Sequence, residues 1–268
     1  MEKIHLIPTA GLCNRMRAMA SGLYISQRYQ LPLVVFWNRY KGLNATFSDL
    51  FEQLNPMLGV VKESTSWKKN INYTRDYLLR RPFLLDYNQV IYNFSQHEKG
   101  NIFEKIKCTK GKILLISCFE MTEMYDLNRI FIPVKSIQEQ IDKIVSKFDI
   151  HTIGVHIRRT DNVESTEQSP LNTFIKILKK EIEQDSKVRF YLATDDHNTK
   201  QTMIDAFPER TITTTNSLNR DNIEGMKFAV SELFALSKTS KIIGSYYSSY
   251  SDIASKLGKI PIQYAINE

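Results

Sequence analysis

The second half of the chain alternates regularly between short apolar runs and stretches with apolar residues at helical spacing. This alternation predicts helices at 134–148, 171–184, 199–207, 225–237 and 250–257, and strands at 152–157, 188–193, 211–214 and 241–244. Strands that alternate with helices form parallel sheets that are covered by helices on both faces. The sequence therefore predicts an α/β fold.

The first third shows the same alternation. It predicts a strand at 3–7, a loop at 8–14, a helix at 15–28 and a strand at 33–37, which together form a βαβ unit. Another buried strand is expected at 112–118, whereas the remainder of 46–133 has no clear pattern. We predict two Rossmann-like domains, residues 1–133 and residues 134–268.

Polar loops follow four of the predicted strands, at residues 9–15, 156–161, 194–196 and 245–251. In open parallel sheets, ligands bind outside the carboxyl ends of the strands. We therefore expect these loops to form the ligand site.

The segment Gly154–Asp161, G-V-H-I-R-R-T-D, ends one of these strands. Because side chains alternate along a strand, His156 and Arg158 are expected on one face. A guanidinium can grip a diphosphate through two parallel hydrogen bonds and stays charged at any physiological pH, so Arg158 is the predicted phosphate residue. Arg159 is expected on the opposite face, bracing Asp161 or another carboxylate.

Two other loops precede helices and have two interpretations each. Gly11 and Asn14 could offer free amides to an anion at the helix end, or Asn14 could simply cap the helix. Ser248 and Ser249 could contact a ligand or cap the last helix. Local sequence does not separate these alternatives.

Asp195 and Asp196 follow the strand at 188–193. Adjacent carboxylates could bind a metal, accept hydrogen bonds from a ribose or a base, or cap the next helix through Asp196. No third carboxylate lies at ligand spacing, so a metal is the weaker interpretation.

The composition bears on partners and location. Lys and Arg outnumber Asp and Glu by 36 to 29, which favours anionic ligands. The three cysteines have no zinc-ligand spacing, which indicates a reduced intracellular compartment. We expect neither a signal peptide nor a membrane span, and hence a cytoplasmic protein, with the inner face of the membrane as a second location.

Taken in order, these segments resemble the motifs of the fucosyltransferase superfamily of GT-B glycosyltransferases, which includes α1,2-, α1,6- and protein O-fucosyltransferases. The turn at Gly11–Arg15 is similar to the N-terminal Gly-rich turn of that family, with Cys13 where a glycine is often found. The segments that resemble its three motifs are His156–Asp161, Tyr191–Asp196, and Ser231–Ser237 followed by Ile243–Ser249.

The resemblance implies a GT-B fold whose two parallel sheets face a central cleft, with the donor GDP-fucose bound mainly by the second domain and the acceptor by the first. It further implies inverting transfer without a metal or another cofactor. Arg158 would contact the β-phosphate, and His156 and Asp196 the guanosine. The other donor contacts implied are Arg159, Asp161, Thr194, Ser248, Ser249, Gly11, Asn14 and Arg15.

The resemblance also suggests where a catalytic base would lie. In relatives that use a glutamate, the matching position here is Thr166, which lies between Glu164 and Glu167. We predict Glu164 as the base; the alternative is that both glutamates are solvated loop charges.

Two other functions remain open. The same fold could use another GDP- or UDP-sugar, or the basic surface could serve a non-catalytic binder of anionic glycan or nucleic acid. The main hypothesis is transfer of fucose to a glycan or lipid-linked oligosaccharide in polysaccharide biosynthesis, with peripheral membrane association and no nucleic-acid partner.

Overall fold

The chain divides into two units. In the computed structural model, the first unit comprises Met1–Val134 and Arg220–Met226, and the second comprises Lys135–Asn219 and Lys227–Glu268. The structure describes residues 3–40, 42–64, 87–93, 102–107, 111–160, 163–214 and 219–266. Arg220–Met226 belongs to the first unit although it lies in the second half of the sequence, and our sequence analysis placed it in the second domain. The acceptor and donor roles of the two halves stay predictions.

The first unit contains a parallel sheet with the strand order β3-β2-β1-β5-β4. The flanking strands β3 and β4 were not predicted, because edge strands carry polar residues such as Lys62 and Glu63 and resemble loops in sequence. The strands are β1 (Ile4–Pro8), β2 (Leu33–Asn38), β3 (Val60–Ser64), β4 (Gln89–Asn93) and β5 (Ile113–Ser117).

Helix α1 covers the first unit's sheet and begins at Leu12, three residues before the predicted start. Its residues Met16, Met19 and Leu23 recur at helical spacing and are fully buried. The helix ends at Tyr29, and its C-cap residue, Gln30, has the left-handed conformation common at helix C-termini. The described helices of this unit are α1 (Leu12–Tyr29), α2 (Phe47–Leu50), α3 (Ile102–Lys107) and α4 (Leu127–Ile130).

The second unit contains a parallel sheet with the strand order β10-β9-β6-β7-β8. All six residues of the central strand β6, including the polar Thr152 and His156, are buried, as expected of a strand covered on both faces. Strand β10 was not predicted, because none of its three residues is fully buried and Gln263 is exposed. The strands are β6 (Thr152–Ile157), β7 (Arg189–Thr194), β8 (Thr211–Ile212), β9 (Ile242–Gly244) and β10 (Ile262–Tyr264).

The five helices predicted for the second half are all present, and a further short one, α6, occupies a segment expected to be a loop. Phe174 and Leu178, at i and i+4 of α7, pack with Val155 and Ile157 of β6 in the core of this unit. None of the described helices is both long and apolar enough to cross a membrane. The helices are α5 (Lys135–Val145), α6 (Val163–Gln168), α7 (Leu171–Gln184), α8 (His197–Ala206), α9 (Ile223–Leu236) and α10 (Ser249–Gly258).

Gly244, the last residue of β9, allows helix α10 to lie close to the sheet. A Cβ atom added at Gly244 would lie 2.6 Å from Ser251 Oγ and 2.7 Å from Ser251 Cβ. We therefore expect Gly244→Ala to lower the free energy of unfolding of the second unit by about 1–3 kcal/mol, because the helix or the strand must shift.

Urea unfolding measures this effect. The control is Gly11→Ala, where no atom of the described residues beyond its chain neighbours lies within 4 Å of the added Cβ, so the loss should stay below about 1 kcal/mol. Equal stability of the wild type and the Gly244→Ala variant would contradict the described packing.

Candidate functional site

The strand order of the second sheet predicts a ligand site at its centre. From β6 the chain continues to β7 and β8 on one side, and then crosses to β9 and β10 on the other. Ligands of open α/β sheets bind at the carboxyl ends of the strands where the order reverses in this way. The loops that follow β6 and β9 meet at this point: the main-chain N–H of Arg158 donates to Ser245 Oγ at 3.0 Å.

Asp195 holds the loop that follows β6. Its carboxylate forms an ion pair with Arg158, with 2.6 Å between Nη1 and Oδ2. It also accepts hydrogen bonds from the main-chain N–H of Arg159 at 2.8 Å and from Thr160 Oγ1 at 2.7 Å. The side chains of Arg158 and Asp195 are only 15% and 9% exposed. The predicted phosphate residue is therefore a cation fixed in position by a largely buried carboxylate.

The importance of Asp195 was missed at the sequence level, where Asp196 was preferred. The sheet register contains the missing information: Ile157 is opposite Thr194, so the next residues, Arg158 and Asp195, lie side by side. Two adjacent carboxylates cannot be told apart until the register of the parallel strands is known.

Arg159 lies at the same loop, and its described side-chain hydrogen bonds go to main-chain oxygens. Its Nη2 donates to the main-chain oxygen of Ser169 at 2.9 Å, and its Nη1 to that of Arg158 at 3.4 Å. Burial lowers the pKa of the Arg159 guanidinium, although arginine stays charged at neutral pH. The arginine that pairs directly with a carboxylate is thus Arg158. Asp161, the other expected partner, lies outside the described residues.

His156 is enclosed within the second unit. Its Nδ1 lies 2.7 Å from Ser251 Oγ, and its ring stacks on Tyr250 with 4.7 Å between the ring centroids. Gly244 permits this arrangement, because a side chain there would displace Ser251. The structure thus fixes the orientation of the imidazole, and the role of His156 towards guanosine stays a prediction.

Asp196 is the N-cap of helix α8. Its Oδ2 accepts a hydrogen bond from the main-chain N–H of Thr199 at 2.7 Å, and this bond lowers the pKa of the carboxyl group. The capping interpretation is confirmed, and any contact of Asp196 with guanosine stays a prediction. Thr194, the preceding strand residue, is buried.

Ser248 is the N-cap residue of α10, but its side chain makes no capping hydrogen bond. Ser248 is buried, whereas Ser249, the first residue of the helix, is half-buried. The side-chain capping interpretation is therefore wrong for Ser248. The predicted contacts of both serines with the donor stay predictions.

The turn before α1 in the first unit differs from the expectation. Gly11, not Asn14, is the N-cap, and Asn14 lies inside the helix. Arg15 is completely buried: its Nε donates to the main-chain oxygen of Ala10 at 3.0 Å, and its Nη1 to that of Asn38 at 2.7 Å. Arg15 thus stabilises the turn from inside, because its guanidinium donates to a carbonyl group of the turn and to one at the end of β2. The predicted contact of Arg15 with the donor substrate stays a prediction.

Glu164 and Glu167 lie on helix α6 rather than in a loop, and both are exposed. The loop assignment was wrong because a helix of six residues is too short to show periodicity. Thr166, the position that matches the glutamate of some relatives, is half-buried. The choice of Glu164 as the base stays a prediction.

Glu232 is a buried carboxyl that sequence reasoning did not single out. Its Oε1 accepts a hydrogen bond from Thr214 Oγ1 at 2.8 Å. Within the described ranges, neither its Oε2 nor the buried Tyr191 hydroxyl has a hydrogen-bond partner. Burial raises the pKa of Glu232 from 4.5 to about 7. An acidic residue inside the apolar run of α9 was the signal that could have identified it.

The described parts of the chain contain no group of three or more His, Cys, Asp or Glu side chains that could hold a metal ion. Arg158 and Arg159 contribute positive charge to the loop that follows β6.

Glu232 generates a pH prediction. A carboxyl whose pKa is raised on folding stabilises the folded state most below its unfolded value of 4.5, and this stability is lost as the pH rises through about 7. From pH 5 to pH 8 the wild type should lose on the order of 3 kcal/mol more than Glu232→Gln, which keeps an acceptor for Thr214 but does not titrate. Urea unfolding of both proteins across this range measures the difference, and parallel pH profiles would contradict it.

Comparisons with known proteins agree with this architecture. No protein-family model matches the chain, and no curated protein matches it significantly in sequence. Among solved structures, it is similar to the α-1,6-fucosyltransferase NodZ, a Bradyrhizobium protein, soaked with GDP-fucose. The TM-score is 0.64 at 17% identity, over 96% of this chain and 93% of that chain.

Two further solved structures share the fold. A mutant of Arabidopsis thaliana FUT1 in complex with GDP matches with a TM-score of 0.60 at 15% identity, over 100% of this chain and 71% of that chain. POFUT1 in complex with GDP matches with a TM-score of 0.58 at 12% identity, over 98% of both chains. These likenesses confirm the fold that the motifs imply: the chain has the GT-B-like α/β fold of these fucosyltransferases.

Proposed function

We propose that this protein is a fucosyltransferase that moves fucose from GDP-fucose to a hydroxyl group of a glycan. The observation that carries the proposal is the position of Arg158 at the strand-order reversal of the second sheet. The fold is shared with fucosyltransferases whose structures contain GDP or GDP-fucose, which supports the same donor here.

Arg158 is proposed to bind the β-phosphate of the donor. A guanidinium carries five N–H groups in a fixed plane, and the ion pair with Asp195 aims this plane from one side. Charge-assisted hydrogen bonds between arginine and phosphate oxygens are stronger than neutral ones. A preorganised cation can therefore stabilise the charge that develops on the leaving phosphate without reorganising during the reaction.

The proposed reaction inverts the configuration at C1 of fucose. The acceptor hydroxyl attacks C1 from the face opposite to GDP, and the bond between C1 and the β-phosphate oxygen breaks. The electron pair of that bond stays with GDP, next to Arg158, and the proton of the acceptor hydroxyl passes to a base. We propose Glu164 as this base, because its exposed carboxylate can take the proton and release it to solvent.

The remaining assignments belong to the same proposal. His156 and Asp196 would serve the guanosine, and Thr194, Ser248, Ser249, Gly11 and Asn14 would contribute further donor contacts. The transfer is proposed to need no metal, because arginine supplies the positive charge at the phosphate. A glycan or lipid-linked oligosaccharide acceptor, and a cytoplasmic location with peripheral membrane association, complete it.

Nucleotide selectivity tests the donor. GDP should raise the thermal unfolding midpoint without added magnesium, since a ligand present at 100 times its Kd stabilises the folded state by about 2.7 kcal/mol. UDP at the same concentration is the control and should give a much smaller shift. Stabilisation by UDP but not by GDP would contradict the proposed donor and favour another nucleotide sugar.

Substitution of Arg158 tests its proposed contact with the β-phosphate. Arg158→Ala should weaken GDP binding by about 100-fold, because it removes a charge-assisted contact to phosphate, and isothermal titration calorimetry measures this loss. The substitution also leaves Asp195 buried without its partner, which destabilises the protein. The double variant Arg158→Ala/Asp195→Asn removes both charges but keeps an acceptor for the main-chain N–H of Arg159, and should be more stable than Arg158→Ala without recovering GDP affinity.

Arg189→Ala is the matched control. Arg189 is the first residue of β7, so it lies at the end of the strands opposite to Arg158. Its Nη1 donates to the main-chain oxygen of Lys147 at 3.1 Å. Its removal changes the net charge equally and should leave GDP affinity within about twofold. Full GDP affinity in Arg158→Ala, or an equal loss of GDP affinity in Arg189→Ala, would refute the proposed phosphate contact of Arg158.

A further inference from the structure

Two adjacent tyrosines are exposed on the loop between β9 and α10. The residues on either side of the pair, Ser245 and Ser248, are buried, whereas Tyr246 and Tyr247 are 39% and 45% exposed. The two rings lie side by side, with 6.1 Å between their centroids and a tilt of 41°. An exposed aromatic pair on an otherwise buried loop is a common feature of binding surfaces.

This loop is attached to the strand end that carries Arg158. Ser245 donates its main-chain N–H to the His156 oxygen at 3.0 Å, and Ser245 Oγ accepts the main-chain N–H of Arg158 at 3.0 Å. The main-chain N–H of Tyr246 donates to Ser169 Oγ at 2.8 Å. Two hydrogen bonds thus attach the loop that carries the tyrosines to the end of β6, and the third attaches it to Ser169.

The backbone of Tyr247 has a conformation that bulky residues rarely adopt. Its φ is +56°, in the left-handed region. Four other described non-glycine residues have positive φ: Gln30 and Lys259, which are C-caps of helices, where this conformation is ordinary, and the smaller or unbranched Ala10 and Glu209. Tyr247 lies in a loop just before a helix begins. Non-glycine residues held in this way concentrate at ligand-binding sites, where surrounding contacts keep them in place.

We infer that Tyr246 and Tyr247 form an aromatic platform for the fucosyl ring of the donor. The inference rests on the proposed function. The β-phosphate that Arg158 would hold is bonded directly to C1 of the sugar, so the sugar lies next to the loop attached to Arg158. The guanine base is separated from that phosphate by the α-phosphate and the ribose. The acceptor approaches C1 from the side opposite to the phosphate.

The chemistry of the ring suits this surface. A 6-deoxyhexose has a methyl group in place of a hydroxymethyl group, and its C–H bonds form an apolar face. Aromatic rings bury such apolar surface while leaving the sugar hydroxyls at the edge available for hydrogen bonds. The platform would thus add affinity for the sugar without contacting the nucleotide.

The test compares the Kd values of GDP and GDP-fucose by isothermal titration calorimetry. In Tyr247→Asn, the Kd of GDP-fucose should rise about 5- to 20-fold while that of GDP stays within about twofold. Asparagine tolerates the left-handed conformation, so this variant should unfold at or above the wild-type temperature. Tyr247→Phe keeps the ring and should keep both Kd values within about twofold.

Three results would overturn the platform. Equal losses for GDP and GDP-fucose in Tyr247→Asn would indicate stacking on the base or a displaced loop. Unchanged Kd values for both ligands, with a higher KM for the acceptor only, would assign the tyrosines to the acceptor. Unchanged Kd and KM values throughout would remove any role in binding. Failure of the proposed function is distinguishable from these, because the wild type itself would then bind neither GDP nor GDP-fucose.

Discussion

The ion pair between Arg158 and Asp195 joins the ends of two neighbouring parallel strands, β6 and β7, and the candidate site depends on it. Both side chains are largely buried, so each needs the other: a buried ion left without its partner typically costs about 3–5 kcal/mol. Asp195 also takes the main-chain N–H of Arg159 and the Thr160 hydroxyl, and so fixes the loop that follows β6. The same carboxylate therefore stabilises the fold and orients the cation proposed to bind the donor.

The loop after β9 completes this arrangement from the other side. Ser245 connects it to His156 and Arg158, while Gly244 leaves room for Ser251 to reach the imidazole. The carboxyl ends of three neighbouring parallel strands, β9, β6 and β7, thus contribute to the candidate site. Preorganisation of this kind lets an enzyme favour a developing charge without rearranging its own dipoles.

The sequence predicted the central elements well because their signal is strong: β6 carries the β-branched residues Ile153, Val155 and Ile157, and α7 has a clear helical period. It also placed Arg158 at a strand end. It could not choose between Asp195 and Asp196, because the choice depends on the register between β6 and β7. The internal contacts of Arg15 were not predicted for a related reason: an arginine after a turn reads as a ligand contact unless the carbonyl groups it satisfies from within are known. Short or half-polar elements, such as α6 and β10, gave no periodicity to detect.

The most direct measurement is a crystal structure of the protein grown with GDP. We expect density for the diphosphate at the carboxyl ends of β6 and β9, with a β-phosphate oxygen about 2.7–3.1 Å from the Arg158 guanidinium and with Asp195 still in contact with that guanidinium. GDP bound elsewhere, with Arg158 making no contact to phosphate, would contradict the central claim.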